Sequence, residues 1–236
     1  MLRPCVIRTI PRPPPELAAA LAEEGVATVH EAQGQLGLMH PAIRPLLPGA
    51  RICGPAVTAL NHPGDNLMLH AAIEVCQPGD VLVVATTAPC TDGMLGELLA
   101  LSCKARGLAG VVLDVGARDL AALQALGLPV WARAVSAAGT AKSTPGWVNV
   151  PVVCGGVTVR PGDLVVADDD GVVVVAREHA GAVLAAARAR TAREATIRQR
   201  LAAGELTLDI YGFRDVLAAR GVRYYDTAAE AEADAS

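Results

Sequence analysis

Seven short, valine-rich runs constrain this chain more than any other feature of it. They lie at Ile52 to Leu60, Val81 to Thr86, Gly110 to Val115, Pro129 to Ala134, Val148 to Val153, Leu164 to Ala167 and Val172 to Ala176, and Gly, Pro or Asp bounds them. Branched side chains suit a pleated, packed surface, so each run predicts a strand. Segments of helical length, Asn66 to Cys76, Gly96 to Arg106 and Asp119 to Leu126, separate the earlier runs, whereas the later ones follow one another through short turns. Crossover helices give parallel pairing and short turns give antiparallel pairing. The expected fold class is therefore α/β with a mixed sheet, not a pure Rossmann repeat.

With 236 residues, 52% of them hydrophobic, the chain can bury a sizeable core. The expected organisation is an N-terminal arm and short helix over residues 1–24, an α/β core over 25–176, C-terminal helices over 177–225 and a flexible tail over 226–236. The lead Pro11-Arg-Pro-Pro-Pro15 has no apolar signal core and reads as an arm over a neighbouring surface, followed by an amphipathic helix from Pro15 to Glu24. From Arg177 an Ala/Arg-rich helix runs to about Ala203, Gly204 interrupts it, and Phe213 to Arg220 forms a last helix. The ending after Tyr225 reads as a frayed tail.

A formal charge of −4 without a dense Lys/Arg block argues against a general nucleic-acid surface. No segment supplies a charge-free membrane span. These features predict a cytoplasmic protein whose partner is a small molecule, with no nucleic acid and no membrane. Six cysteines without a Cys-x-x-Cys pair, several in apolar runs, read as reduced thiols acting as small core hydrophobes.

The run Gly110 to Gly116 ends in Arg118-Asp119, a cation beside a carboxylate. Upstream, Asp92-Gly-Met-Leu-Gly-Glu-Leu-Leu-Ala100 offers a glycine turn, an acid at Glu97 and a helix start whose free N–H groups favour carboxylates and phosphates. Two readings of Arg118-Asp119 stand. One is a surface ion pair in which Asp119 caps its own helix. The other is a pocket that holds an anionic substrate beside a divalent metal. The neighbouring Gly93, Gly96, Glu97 and Gly116 favour the second, because ligands gather where the strands of an α/β sheet end.

Other motifs carry less. Pro-Gly-Asp occurs at 63, 78 and 161; the last two precede valine-rich strands and read as turns, while the first opens a helix that Asp65 or Asn66 can cap at the border of the pocket. Asp168-Asp-Asp-Gly171 lacks the spaced ligands of a calcium loop and reads as a hairpin turn. His30-Glu31 has no second histidine at zinc-protease spacing, which leaves His30 structural. Lys142 reads as a solvated or substrate-facing lysine, since nothing near it in sequence would make it a Schiff-base nucleophile. There is no Walker loop, Gly-x-Ser-x-Gly elbow or dinucleotide glycine fingerprint.

Gly96-Glu-Leu-Leu-Ala100, Lys104-Ala-Arg-Gly107 and Gly116-Ala-Arg-Asp119 closely resemble the metal-dependent pyruvate aldolases that cleave 4-hydroxy-4-methyl-2-oxoglutarate and 4-carboxy-4-hydroxy-2-oxoadipate. Their superfamily also holds non-catalytic regulators of ribonuclease E activity. The likeness continues through His30-Glu-Ala-Gln-Gly34, Pro63-Gly-Asp-Asn-Leu67, Val148-Asn-Val-Pro-Val-Val153, Ala167-Asp-Asp-Asp-Gly-Val172 and Leu208-Asp-Ile-Tyr-Gly212. The resemblance implies a β/β/α swivelling-domain fold with a long C-terminal helical segment, and homotrimers that pair into hexamers with active sites between subunits.

It further implies Mg2+ or Mn2+ at Asp119, with Arg118 on the pyruvyl oxygens of a 2-oxo acid and the substrate carboxylate on the turn Gly96, Leu98 and Leu99. Glu97 and Glu194 are the implied catalytic acids, Glu194 reaching a neighbouring subunit's site. Glu97 departs by one methylene from the aspartate of some relatives. The implied reaction is retro-aldol cleavage to pyruvate in bacterial aromatic-acid catabolism, with oxaloacetate decarboxylation as a side activity. A dedicated 2-oxo acid decarboxylase and a regulator of ribonuclease E activity are the alternatives, and Glu97 and Glu194 argue against the regulator.

Overall fold

The computed structural model describes residues 2–235. The chain divides into two compact units between Ala189 and Arg190. In the first, chain order runs β1 (Cys5–Val6), α1 (Pro15–Glu24), α2 (Val26–Ala32), β2 (Arg44–Pro45), β3 (Ile52–Asn61), α3 (Leu67–Val75), β4 (Val81–Thr86), β5 (Gly93–Leu95), α4 (Glu97–Ala105), β6 (Gly110–Ala117), α5 (Leu120–Leu126) and β7 (Val130–Val135). It continues with β8 (Trp147–Val148), β9 (Val152–Cys154), β10 (Val157–Val159), β11 (Leu164–Asp168) and β12 (Gly171–Val175). Helix α6 (Ala180–Ala202) contains the division, and the second unit adds α7 (Thr207–Ile210), α8 (Phe213–Ala219) and α9 (Ala228–Asp234).

The sheet is mixed, as the spacing of the valine runs predicts. Strands β3, β4, β6 and β7 pair in parallel, each step crossing through a helix. The β11–β12 hairpin joins antiparallel to the first half of β3, at Ile52 to Pro55. Period-two alternation then separates two cores: Leu82 and Val84 face α3, α4 and α5, while Val81, Val83 and Ala85 face the opposite side with Trp131, Val152 and Val165. A third cluster packs α1, α2 and the start of α6 on the hairpin through Leu21, Val26, Val173 and Val183. No described helix is long and apolar enough to cross a membrane.

One expectation needs correction. The run Val148 to Val153 is not one strand, because Asn149 sits at φ 60° and Pro151 removes a donor, so pairing stops after β8 and resumes at β9. The proline-rich lead lies against the chain's own surface. It pairs through β1 with β8, buries Ile10 in the core and sends Arg12 across Asp80 in a two-pronged contact at 2.9 and 2.8 Å. The ending after Tyr225 contains the short exposed helix α9, whose first turn is capped by the Thr227 hydroxyl accepting from the Glu230 amide.

Asp80 is 1% exposed, so its charge depends on Arg12 and on the Gln77 amide. Removing one partner of such a buried pair strands the other charge. Arg12→Ala is expected to lower the unfolding free energy by about 3 kcal/mol, read as a drop in the urea midpoint at unchanged slope. An arm held only against a neighbouring molecule would leave that midpoint unmoved.

Candidate active site

The site is built where β6 hands over to α5. Strand β5 lies beside the end of β6, pairing Gly93 with Gly116 and Leu95 with Ala117, and the Arg118 amide donates to the Leu95 carbonyl at 2.9 Å. This closeness requires glycine. A Cβ on Gly116 would stand 2.2 Å from the Thr91 carbonyl oxygen, one on Gly93 2.4 Å from that of Ser136, and one on Gly96 2.5 Å from Asp119 Oδ2. The segment read from sequence as a glycine turn is thus a short strand feeding α4.

Asp119 does not cap its own helix. It occupies the left-handed region at φ 60° and ψ 40° and makes no side-chain cap to α5. Instead its Oδ2 accepts from the Glu97 amide at 3.1 Å, satisfying the first free N–H of α4. Among the described hydrogen bonds, the next amides of that turn, Leu98 and Leu99, have no acceptor. Arg118 Nε stands 3.8 Å from the same Asp119 oxygen, and both side chains are close to half exposed.

A pocket of about 450 Å³ opens here, lined by Gly96, Glu97, Leu98, Leu99, Arg118 and Asp119, with Asn66, His70, Met94 and Lys142. The structure therefore brings together every sequence-predicted site residue of the first unit. Glu194 lies in the second unit on α6, between Arg190 at 3.0 Å and Arg198 at 3.3 Å, and lines a smaller pocket with Arg193, Ile197 and Tyr211.

Sequence reasoning missed His70, one turn along α3, and Met94. It placed the Asp65–Asn66 turn at the pocket border, and Asn66 does line it, donating from Nδ2 to the Met94 carbonyl at 2.9 Å while its Oδ1 is buried without a partner. Lys142 arrives from a loop remote in sequence, a placement that no local pattern announces.

Other motifs are structural. Lys104 donates to the Leu126 carbonyl and Arg106 to the carbonyls of Glu74 and Cys76, so the Lys104-Ala-Arg-Gly107 stretch closes the C-terminal ends of α5 and α3. Asp168 accepts from the Val26 amide at the start of α2, within the expected β11–β12 hairpin. His30 lies on α2. Burial pushes the Cys53 and Cys103 thiols up to about 12, and raises Cys76 and Cys154 as well, as befits thiols that serve as packing groups.

The donor chemistry bears on a metal. Among the described residues no three His, Cys, Asp or Glu side chains cluster as ligands. Mg2+ commonly takes only one or two carboxylates and completes its shell with water and substrate oxygens. Asp119, with Glu97 in the same pocket, fits that demand; the described residues of the pocket form no cage for zinc or calcium.

A family profile described as RraA-like (Aldolase/RraA) matches residues 19–174. The chain belongs to the RraA-like family. Two relatives named "Putative 4-hydroxy-4-methyl-2-oxoglutarate aldolase" are similar. The one from Halalkalibacterium halodurans is 39% identical over 64% of this chain and 71% of its own length. The one from Burkholderia multivorans is 37% identical over 61% of this chain and 88% of its own. Among solved structures, Streptomyces coelicolor RraAS2, an unusual member of the RNase ES inhibitor RraA protein family, superposes with a TM-score of 0.72 at 35% identity, covering 80% of this chain and all of that one. The mixed α/β architecture is thus the fold of RraA-family proteins.

Because Asp119 both caps α4 and accepts a left-handed backbone, its substitutions separate hydrogen bonding from charge. Asn keeps an acceptor and tolerates that conformation, so Asp119→Asn is expected to stay within about 0.5 kcal/mol of the parent in urea unfolding. Asp119→Ala loses the cap and should cost about 1 kcal/mol or more. Equal losses in the two variants would mean that charge, not the hydrogen bond to Glu97, ties the elements together.

Proposed function

We propose that this protein is a carbon–carbon lyase that releases pyruvate by divalent-metal-dependent retro-aldol cleavage of 4-hydroxy-4-methyl-2-oxoglutarate and 4-carboxy-4-hydroxy-2-oxoadipate. The observation that carries the reading is Asp119. Its carboxylate sits favourably between a helix N-terminus and Arg118, but it does so from a left-handed backbone, a cost that an ordinary surface cap does not require. The names of the similar relatives support the same reaction class.

In the proposed reaction the substrate's C1 carboxylate lies on the Leu98 and Leu99 amides, and Arg118 contacts the C2 oxygen. Glu97 receives the proton of the C4 hydroxyl, through a water that it orders together with Glu194 of a neighbouring subunit. The C3–C4 bond breaks, its electron pair forms the C2=C3 double bond as the C2 carbonyl π pair moves onto the oxygen, and the C4 fragment leaves as a ketone. Arg118 stabilises the enolate charge as it develops, and the relayed proton returns to C3 to give pyruvate. A Mg2+ or Mn2+ ion held by Asp119 would add positive charge beside the same oxygens. Oxaloacetate decarboxylation yields the same enolate and belongs to the proposal as a side activity. The working assembly is a trimer or hexamer, and the setting is the cytoplasm, in aromatic-acid catabolism.

The likeness to RraAS2 favours a second reading, a non-catalytic ribonuclease regulator. Oxaloacetate turnover that requires Mg2+ separates the two, since a regulator would show none. Within the lyase reading, Asp119→Asn should abolish metal-dependent pyruvate release while remaining folded; turnover like that of the parent would sink the metal assignment.

Glu194 gives the sharpest contrast, because its two arginine partners at helical spacing fit a solvated face equally well. If it completes a neighbour's site, Glu194→Ala should lose most activity, and mixed oligomers with Asp119→Asn subunits should regain part of it. Mixed oligomers verified by native mass spectrometry that stay as inactive as both parents would rule out the shared site.

A further inference from the structure

The three Pro-Gly-Asp turns share a backbone but not a use for their carboxylate. In each, the Asp amide donates to the carbonyl three residues back, that of His62, Gln77 or Arg160. In two, the carboxylate also closes its own turn: Asp80 Oδ2 accepts from the Gln77 amide at 2.7 Å and Asp163 Oδ2 from the Arg160 amide at 2.9 Å. Asp65 does not. Its Oδ1 accepts from the Leu67 amide at 2.9 Å, and its Oδ2 reaches across the chain to the amides of Ser143 and Thr144, both at 2.8 Å, and to the Ser143 hydroxyl at 3.2 Å.

The segment it grips has little else to hold it. Residues 141–145 are exposed. Ala141 donates to the Gly64 carbonyl at 2.8 Å and accepts from the Asn66 amide at 3.1 Å, so Lys142 is tied on both sides to the turn that starts α3. Asp65 itself is 4% exposed. Burial alone would raise its carboxyl, but the bonds from Leu67, Ser143 and Thr144 outweigh that effect and hold it well below the usual carboxylate range. The clamp is therefore ionised at any working pH.

We propose that Asp65 is a positioning residue that fixes the segment 141–144 so that Lys142 stands in the pocket with Arg118 and takes the distal carboxylate of a dianionic substrate. The substrate half of this inference rests on the function proposed above; the clamp does not. Lys142 contributes a mobile point charge on a flexible stem, so the backbone beneath it must be fixed for that charge to have a defined place.

The test is Asp65→Asn in the full chain, assayed with 4-hydroxy-4-methyl-2-oxoglutarate and Mg2+, and digested under native conditions with trypsin. The amide nitrogen of Asn cannot accept, so the bonds to Leu67 or to Ser143 and Thr144 are lost. KM is expected to rise roughly tenfold with kcat changed less than about threefold, the signature of lost uniform binding. Cleavage after Lys142, followed by peptide mass spectrometry, should become faster than in the parent. In a Lys142→Ala background the same change should raise KM no further.

An unchanged KM, a loss confined to kcat, or an unchanged cutting rate after Lys142 would overturn the inference. Should Asp65→Asn fail to fold, Ser143→Ala removes one of the bonds without touching the core; it should move KM and proteolysis in the same direction by a smaller step, and no movement overturns the inference. If the parent protein cleaves no aldol substrate, the functional reading falls, and native proteolysis alone then decides whether Asp65 clamps the loop.

Discussion

The 3.1 Å hydrogen bond from the Glu97 amide to the Asp119 carboxylate joins the start of α4 to the end of β6. It forms only because β5 can lie against β6 without side chains between them, at Gly93 and Gly116, and because Gly96 leaves room for the carboxylate oxygen itself. Once it forms, the helix end, the guanidinium of Arg118 and the acid of Glu97 are all within one pocket. A cation, two carboxylates and a turn of open amides are then arranged before any ligand arrives, which is the condition under which electrostatic stabilisation requires no reorganisation.

That arrangement has a local cost. A non-glycine residue in the left-handed region is disfavoured by about 1–2 kcal/mol, somewhat less for Asp because its short polar side chain can bond nearby. Three bonds offset it: the Arg118 amide to Leu95, the Glu97 amide to Asp119, and the Leu123 amide to the Asp119 carbonyl that begins α5. Strain held by surrounding bonds is what a site needs in order to keep a charged group aimed at solvent and ligand instead of relaxing onto its own helix. Gln35 and Asn149 share the conformation, at φ 62° and 60°, yet Asn149 spends its side chain on the chain itself, donating to the Ile7 carbonyl at 2.8 Å. The left-handed backbone alone does not set Asp119 apart; its place in the pocket beside Arg118 does.

What could be read from sequence followed from local physics. Valine runs bounded by turn residues gave β3, β4, β6, β7, β11 and β12 nearly to the residue, and helical spacing gave α1, α3, α4 and α5. The failures lie where distant partners decide. Asn149 breaks a run of branched residues because its backbone amide donates to the Thr58 carbonyl while its side chain accepts from the Thr58 amide and donates to the Ile7 carbonyl. Strand β5 exists only because the end of β6 offers it an edge, and its glycines hide that pairing behind a turn-like pattern. Pocket residues on two short contiguous stretches, Gly96 to Leu99 and Arg118-Asp119, were legible; His70 and Lys142 come from separate elements, and neither sits in a motif whose local chemistry demands them.

Charge balance connects the two halves of the pocket. Glu97 and Asp119 carry two negative charges and Arg118 and Lys142 two positive ones, so the lining with His70 neutral sums to zero. A dianionic 2-oxo acid entering alone would leave the site two charges negative, and a divalent cation entering alone would leave it two positive. Either excess is unfavourable where like charges gather in one concave site. For dianionic 4-hydroxy-4-methyl-2-oxoglutarate the two together restore neutrality among these four side chains. Within the proposed function a carboxylate-bearing substrate and a divalent cation thus complement this lining, whereas a neutral sugar would leave the free helix amides without an anionic acceptor. On this argument the two cations are not redundant. In the proposed reaction Arg118, 3.8 Å from Asp119, would meet charge that develops, whereas Lys142, held from a separate loop, would meet charge the substrate brings with it.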